Sequence, residues 1–286
     1  MSRIEMRHIS KQFGKTVALS DVTASISDGK ICGLLGRNGA GKTTLLNIIT
    51  NRIFADQGSV YIDEKPAIEN DLIQATIFYM TEKTLYSKET QVKEVFKITR
   101  GFYPGFNMDY ANALSDRFKL EPRKKISGLS TGYLTILKLV LTLASNAPIT
   151  IYDEPVLGLD ANHRDLFYKE LISHYNETPN TVILSTHLIE EVARLLEDVI
   201  ILREGKMLLS QPIESVLQLA YTISGDQPSV DRYTSDKKVI SHETLGRFKS
   251  ATIYQNRTTA DEELMSQLGL DLMPAKLQDV FISLTN

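Results

Sequence analysis

The run Gly36-Arg-Asn-Gly-Ala-Gly-Lys-Thr43 has the spacing G-x-x-x-x-G-K-T. Its glycines let backbone amides turn inward around a polyphosphate, and a helix N-terminus behind them adds partial positive charge. Lys42 can reach the β- and γ-phosphates of a nucleotide, and the Thr43 hydroxyl can ligate Mg²⁺. Farther along, Ile149-Thr-Ile-Tyr-Asp-Glu154 places two carboxylates after an apolar run. Asp153, at the end of a buried strand downstream of a P-loop, forms the Walker B arrangement and is placed to hold Mg²⁺ through water. Glu154 is placed to polarise an attacking water, a role that contributes about 10²–10⁴-fold in rate. The chemistry in prospect is hydrolysis of a nucleoside triphosphate.

These residues need a strand, a loop and a helix in succession, and the sequence supplies them. Ile31 to Leu35 is a short apolar run suited to a buried parallel strand, and Leu45, Leu46, Ile48 and Ile49 recur at helical spacing after the loop. Upstream, Ile4, Met6, Val17, Leu19, Val22 and Ile26 alternate with polar residues, which predicts an antiparallel β-layer. Phe13 falls in a turn of that layer, either packed on its neighbours or open as a stacking platform for a base. Strand signals follow at Val60–Asp63 and Ala75–Met80. From there to about Ala147 the pattern is helical, with Thr90 as the expected N-cap of a first helix and Gly132 to Ala144 as the strongest one. Alternation then resumes. A helix is expected over His163–Tyr175, a strand over Thr181–Ser185, a helix over Leu188–Leu196 and a strand over Val199–Leu202. Beyond Pro212 the chain turns more polar. Ser224-Gly-Asp-Gln-Pro228 reads as a linker, and the tail as a small α+β appendage with helices over Ala260–Leu268 and Ala275–Leu284.

The 286 residues suffice for a substantial core. A net charge of −3 and a pI near 6.0 argue against a dedicated nucleic-acid binder. The single cysteine, Cys32, excludes a disulfide scaffold within one chain and fits a reducing compartment. The N-terminus shows no apolar h-region, and the greasiest stretch, Leu134 to Ala144, carries Lys138 and is too short to span a bilayer. A membrane role is therefore expected to come through a partner.

The order of these motifs resembles the nucleotide-binding subunits of ATP-binding-cassette (ABC) transporters, from the N-terminus to about residue 211. Phe13 lies at the adenine-stacking aromatic, followed by Val17. Gly36 to Thr44 is Walker A, including Asn38, Gly39, Ala40, Gly41 and Thr44. Glu82 stands where the family usually has its Q-loop glutamine. Leu129-Ser-Thr-Gly-Tyr133 occupies the place of the Leu-Ser-Gly-Gly-Gln signature. Leu157-Gly-Leu-Asp160 is the D-loop, and His187 in Ser185-Thr-His is the switch histidine.

The resemblance implies an α/β P-loop NTPase with a RecA-like parallel sheet, an antiparallel β-layer, an inserted helical subdomain and a small C-terminal α+β appendage. The expected domains are an ATP-binding core over 1–83 and 147–211, the helical subdomain over 84–146, and the extension over 212–286. It implies ATP and Mg²⁺ as ligands. Lys42, Glu154 and His187 are then catalytic, and Thr43, Asp153 and Glu82 surround the metal. Phe13, Val17, the Walker A residues and Asp160 contact nucleotide. Ser130 and Gly132, at a helix N-terminus, are expected to meet the γ-phosphate held by a second ATP-binding subunit, identical or paralogous, in a head-to-tail sandwich. A separately encoded permease is expected to hold the subunit at the cytoplasmic face of the membrane, with no nucleic-acid partner.

Phe102-Tyr-Pro-Gly-Phe106 and the ending Leu277-Gln-Asp-Val-Phe-Ile-Ser-Leu-Thr285 resemble Gram-positive subunits paired with exporter-type permeases that handle peptides or antimicrobials. Three positions depart from the family pattern. Thr131 and Tyr133 replace glycine and glutamine of the signature, and Glu82 replaces glutamine. Two other readings stay open: a soluble cassette ATPase working without a permease, and a nucleotide-dependent regulator with weak hydrolysis.

Overall fold

A computed structural model of the chain describes residues 3–81 and 83–285. At its centre is a six-stranded sheet in the order Lys206–Pro212, Asp198–Arg203, Ile31–Leu35, Thr181–Thr186, Ile149–Asp153 and Ile77–Met80. The pairings are parallel except at one edge, where Lys206–Pro212 runs antiparallel to Asp198–Arg203. The run Ile31–Leu35 is buried at every residue, as a strand covered on both faces must be. Burial also pushes the Cys32 thiol pKa up.

On one side the sheet carries the helix Lys42–Ile49 and the expected antiparallel layer, with strands Thr16–Ile26, Ile4–Phe13, Gln57–Ile62 and Lys65–Pro66. Ile4, Met6, Leu19 and Val22 point from this layer into a core shared with Leu45, Leu46 and Ile151. The opposite face is covered by helices Val92–Phe102, Met108–Arg117, Thr131–Ala144 and Ala161–Glu177, which bury Phe96, Phe118, Leu139, Val140 and Phe167. The fold is that of a P-loop NTPase with a helical insertion.

Three local expectations differ from what forms. The first helix of the insertion is capped by Gln91 and not by Thr90. The Gln91 N–H donates to the Glu94 carboxylate at 2.8 Å, half of a capping-box arrangement. The helix expected over Leu188–Leu196 shrinks to Ile189–Val192. The chain must turn there to bring Glu197 to the sheet. The Glu197 N–H donates to the Ile31 carbonyl at 2.9 Å, and the Glu197 carboxylate accepts the Ile31 N–H at 3.0 Å. Leu196 also fills the space beside Gly33 that any Cβ would need.

The stretch Ser224–Pro228 is not a linker. Ser224 to Asp226 ends the strand Ala220–Asp226, and Asp226 caps the helix Gln227–Thr234 by accepting the Ser229 N–H at 3.2 Å. Asp and Pro at a helix start imitate a loop in composition. The tail is a four-stranded antiparallel sheet in the order Val239–Leu245, Phe248–Tyr254, Ala220–Asp226 and Asp271–Pro274. Its own core holds Ile223, Val230, Tyr233 and Ile253, while the last helix, Leu277–Thr285, joins the large core of the sheet.

Candidate active site

The P-loop links the buried strand Ile31–Leu35 to the helix Lys42–Ile49. Two glycines in it, Gly39 and Gly41, hold φ of 82° and 103°, a region that costs residues with a Cβ. At Gly41 a Cβ would also meet the Ala18 carbonyl at 2.7 Å. Ala40 is buried, Asn38 and Gly39 are exposed, and Thr44 is half-buried on the first helical turn. Lys42 is buried and turns back over the loop, its Nζ donating to the Gly36 carbonyl at 2.7 Å.

Parallel pairing carries the second set of groups to the same end of the sheet. Asp153, the last residue of its strand, is buried and ringed by hydroxyl donors. Thr43 Oγ1 donates to Asp153 Oδ2 at 2.9 Å, Tyr79 OH to the same oxygen at 3.1 Å, and Ser185 Oγ to Oδ1 at 2.8 Å. Tyr79 lies in no motif, and Ser185 enters the sequence pattern only as the lead-in to His187. Each sits in an apolar strand beside Ile149–Asp153, and the register that sets Ser185 opposite Asp153 explains the contact.

Glu154 follows in the left-handed region, with φ of 49°, an uncommon conformation for a residue with a Cβ. Its N–H donates to the Ser185 carbonyl at 2.8 Å, which pins the turn. The two carboxylate oxygens have different surroundings. Oε2 lies 2.9 Å from His187 Nδ1 and accepts from Thr186 Oγ1 at 3.4 Å. Oε1 is buried without a hydrogen-bond partner, and the nearest cation, Lys42 Nζ, is 3.5 Å away. An acceptor oxygen held open beside a lysine suits a water and a phosphoryl group.

The residues fit Mg²⁺. Thr43 and Asp153 present hard oxygens within 2.9 Å of each other, beside the phosphate loop. Among the described residues no group of three or more His, Cys, Asp or Glu is arranged to hold a metal. Glu82, the third expected metal neighbour, lies outside the described residues.

Phe13 and Val17 lie together at the open end of the first hairpin, 49% and 55% exposed. Lys11 Nζ is 5.5 Å from the Phe13 ring centre. Ser130 caps the helix Thr131–Ala144, accepting the Tyr133 N–H at 3.3 Å. Asp160 caps Ala161–Glu177, accepting the His163 N–H at 2.9 Å. The signature and D-loop segments touch each other. Thr135 Oγ1 donates to the Leu157 carbonyl at 3.3 Å, and a Cβ at Gly132 would meet the Gly158 carbonyl at 3.0 Å. The structure thus brings Lys42, Thr43, Asp153, Glu154 and His187 into one cluster. The signature helix meets the D-loop at Gly132 and Thr135, and the D-loop in turn leans on the cluster, the Leu157 N–H donating to the Glu154 carbonyl at 3.2 Å.

A cleft of about 640 Å³ opens between the sheet edge Ile77–Met80 and the helical insertion. Leu85, Ile98 and Phe102 line it and are exposed. No helix among the described residues is long and apolar enough to cross a membrane.

Comparison with known proteins follows the same lines. The ABC transporter family model matches residues 19–157. The ABC transporter ATP-binding protein YtrB of Bacillus subtilis is 29% identical over 290 residues, covering 98% of this chain and 97% of the relative. The ABC transporter ATP-binding protein NatA of the same organism is 30% identical over 212 residues, covering 70% of this chain and 84% of NatA. A bacterial ABC transporter cassette solved as a dimer superposes with a TM-score of 0.65 at 25% identity, over 73% of this chain and 98% of the cassette.

Proposed function

The chain belongs to the ABC transporter ATP-binding proteins, and from that membership we propose that it hydrolyses ATP to drive a separate membrane permease. The observation that carries the reading is the split environment of Glu154. One oxygen is tied to His187, and the other is buried, open and 3.5 Å from Lys42.

Lys42 leaves the Gly36 carbonyl and donates to the β- and γ-phosphates, while the P-loop amides surround the chain of phosphates. Thr43 and Asp153 would hold Mg²⁺, which when bound would supply positive charge against the charge that develops on the transferred phosphoryl group. A water beside Glu154 Oε1 attacks the γ-phosphorus. Its proton passes to Glu154, and the bond from phosphorus to the β,γ-bridging oxygen breaks, leaving ADP and phosphate. His187 holds the carboxylate in place through Oε2. Phe13 and Val17 offer an open apolar surface for the adenine ring.

Ser130 and Gly132 sit at the N-terminus of Thr131–Ala144, where backbone amides favour an anion, which supports their meeting the γ-phosphate of a second subunit. The dimeric cassette similar to this chain supports the same pairing. The exposed apolar cleft beside Ile77–Met80 suits a short helix of a permease, which would hold the subunit at the cytoplasmic membrane face. Exporter-type partners moving peptides or antimicrobials are the reading we favour, on the likeness of Phe102–Phe106 and Leu277–Thr285. The test is affinity capture of the chain from detergent-solubilised cells. A polytopic membrane protein retained by wild type and lost with Phe102→Asp supports the transport reading, whereas ribosomal or DNA partners contradict it.

A further inference from the structure

We propose that the C-terminal helix Leu277–Thr285 is a positioning element for His187, with Val280 and Phe281 as its positioning residues. The inference rests on the reading of His187 given above and assigns a role to the tail.

His187 is followed at once by the helix Ile189–Val192, four residues long. A helix of one turn has no stability of its own, because nucleation fixes several residues for a single hydrogen bond. Two of its residues, Ile189 and Val192, are buried, and what they are buried against decides where the segment sits. The C-terminal helix packs directly against it, and Leu277, Val280 and Phe281 share one apolar cluster with Ile189, Val192 and Leu196.

The same helix is anchored at both ends. Near its start, Thr252 Oγ1 of the tail sheet donates to Asp279 Oδ2 at 3.3 Å. Near its end, an Arg203 guanidinium N–H donates to the Leu284 carbonyl at 3.4 Å, and Arg203 closes the strand Asp198–Arg203 of the central sheet. Thr285 reaches a 310 Å³ cavity also lined by Arg37, Asn38 and Gly39 of the P-loop. The helix therefore spans from the tail sheet, past the support of His187, to the flank of the phosphate loop. Its apolar face takes over the buried contacts that the shortened Ile189–Val192 helix cannot make within itself.

Shaving that face lets the His187 segment drift. Misplacement of about 1 Å at a catalytic group can cost roughly 10²-fold in rate, so Phe281→Ala is expected to lower kcat about tenfold or more. ATP binding at Lys42 does not pass through this contact, so nucleotide affinity stays at the wild-type value.

The experiment is a double-mutant cycle in single-turnover ATP hydrolysis with wild type, His187→Ala, Phe281→Ala and the double variant, with ATP affinity measured in parallel. The expected result is a fall with either single change, no further fall in the double, and recovery with Phe281→Leu. Equal losses from Phe281→Ala with and without His187, or full turnover in Phe281→Ala, overturn the inference. Full turnover in His187→Ala overturns the underlying reading instead. If Phe281→Ala does not fold, Val280→Ala replaces it in the same cycle with the same two outcomes.

Discussion

His187 Nδ1 lies 2.9 Å from Glu154 Oε2, across a turn whose first residue sits in the left-handed backbone region. The contact joins two strands that are separated in sequence and adjacent in the sheet. It leaves the other carboxylate oxygen facing Lys42. Each element of the proposed chemistry depends on keeping these two oxygens different.

Tyr79 supports Asp153 from the neighbouring strand. Tyr79→Phe removes a hydroxyl that donates to a buried carboxylate at 3.1 Å. An acceptor deprived of one donor costs about 1–3 kcal/mol. The expected outcome is a loss of that order in urea-unfolding free energy without added nucleotide. Mg²⁺ bound with ATP should recover part of it by giving the Asp153 carboxylate a new partner.

Gly132 sits against the D-loop. A methyl there meets the Gly158 carbonyl at 3.0 Å, so the signature helix or the D-loop must shift. Gly132→Ala should leave ATP binding to the monomer unchanged and lower steady-state turnover, because the strain falls on the signature helix and on the D-loop that leans on Glu154 and not on the P-loop. Equilibrium nucleotide titration and turnover on the same preparation separate the two effects.

His174 gives a pH signature. Burial lowers its pKa below the ordinary 6.5, against a smaller upward pull from Glu177, and its ring stacks on Tyr110 at 5.4 Å. The unfolded chain then binds a proton at a pH where the folded chain does not. Stability is full above about 6.5, the unfolded value, and falls as the pH drops through that value toward the lowered folded one. Thermal melts of wild type should show this loss between neutral and mildly acidic pH. His174→Phe, which keeps the stacking and removes the proton site, should flatten that part of the profile.

Much of this architecture is legible in the sequence because its signals are local. The P-loop spans consecutive residues, and the apolar runs Ile31–Leu35 and Ile149–Tyr152 announce buried strands without reference to anything else. The support of Asp153 is of another kind. Tyr79 and Ser185 lie inside strands whose composition suits any sheet, and only pairing and register bring their hydroxyls to the carboxylate.

The tail misleads for a different reason. Ser224-Gly-Asp-Gln-Pro228 has the composition of a loop because a strand end and a helix cap favour the same residues. The shortened helix after His187 depends on Glu197 reaching the Ile31 backbone, a contact between segments far apart in the chain. Turn composition and helical periodicity do not carry such information.

The central claim is that Glu154 takes the proton of the attacking water at a site formed with Lys42 and closed by a second subunit. Its most direct measurement is Glu154→Gln, followed by single-turnover Mg-ATP hydrolysis and light scattering in solution. The account predicts hydrolysis reduced by roughly 10²-fold or more, with the variant held as a dimer by ATP and released by ADP. Turnover at the wild-type rate in that variant contradicts it.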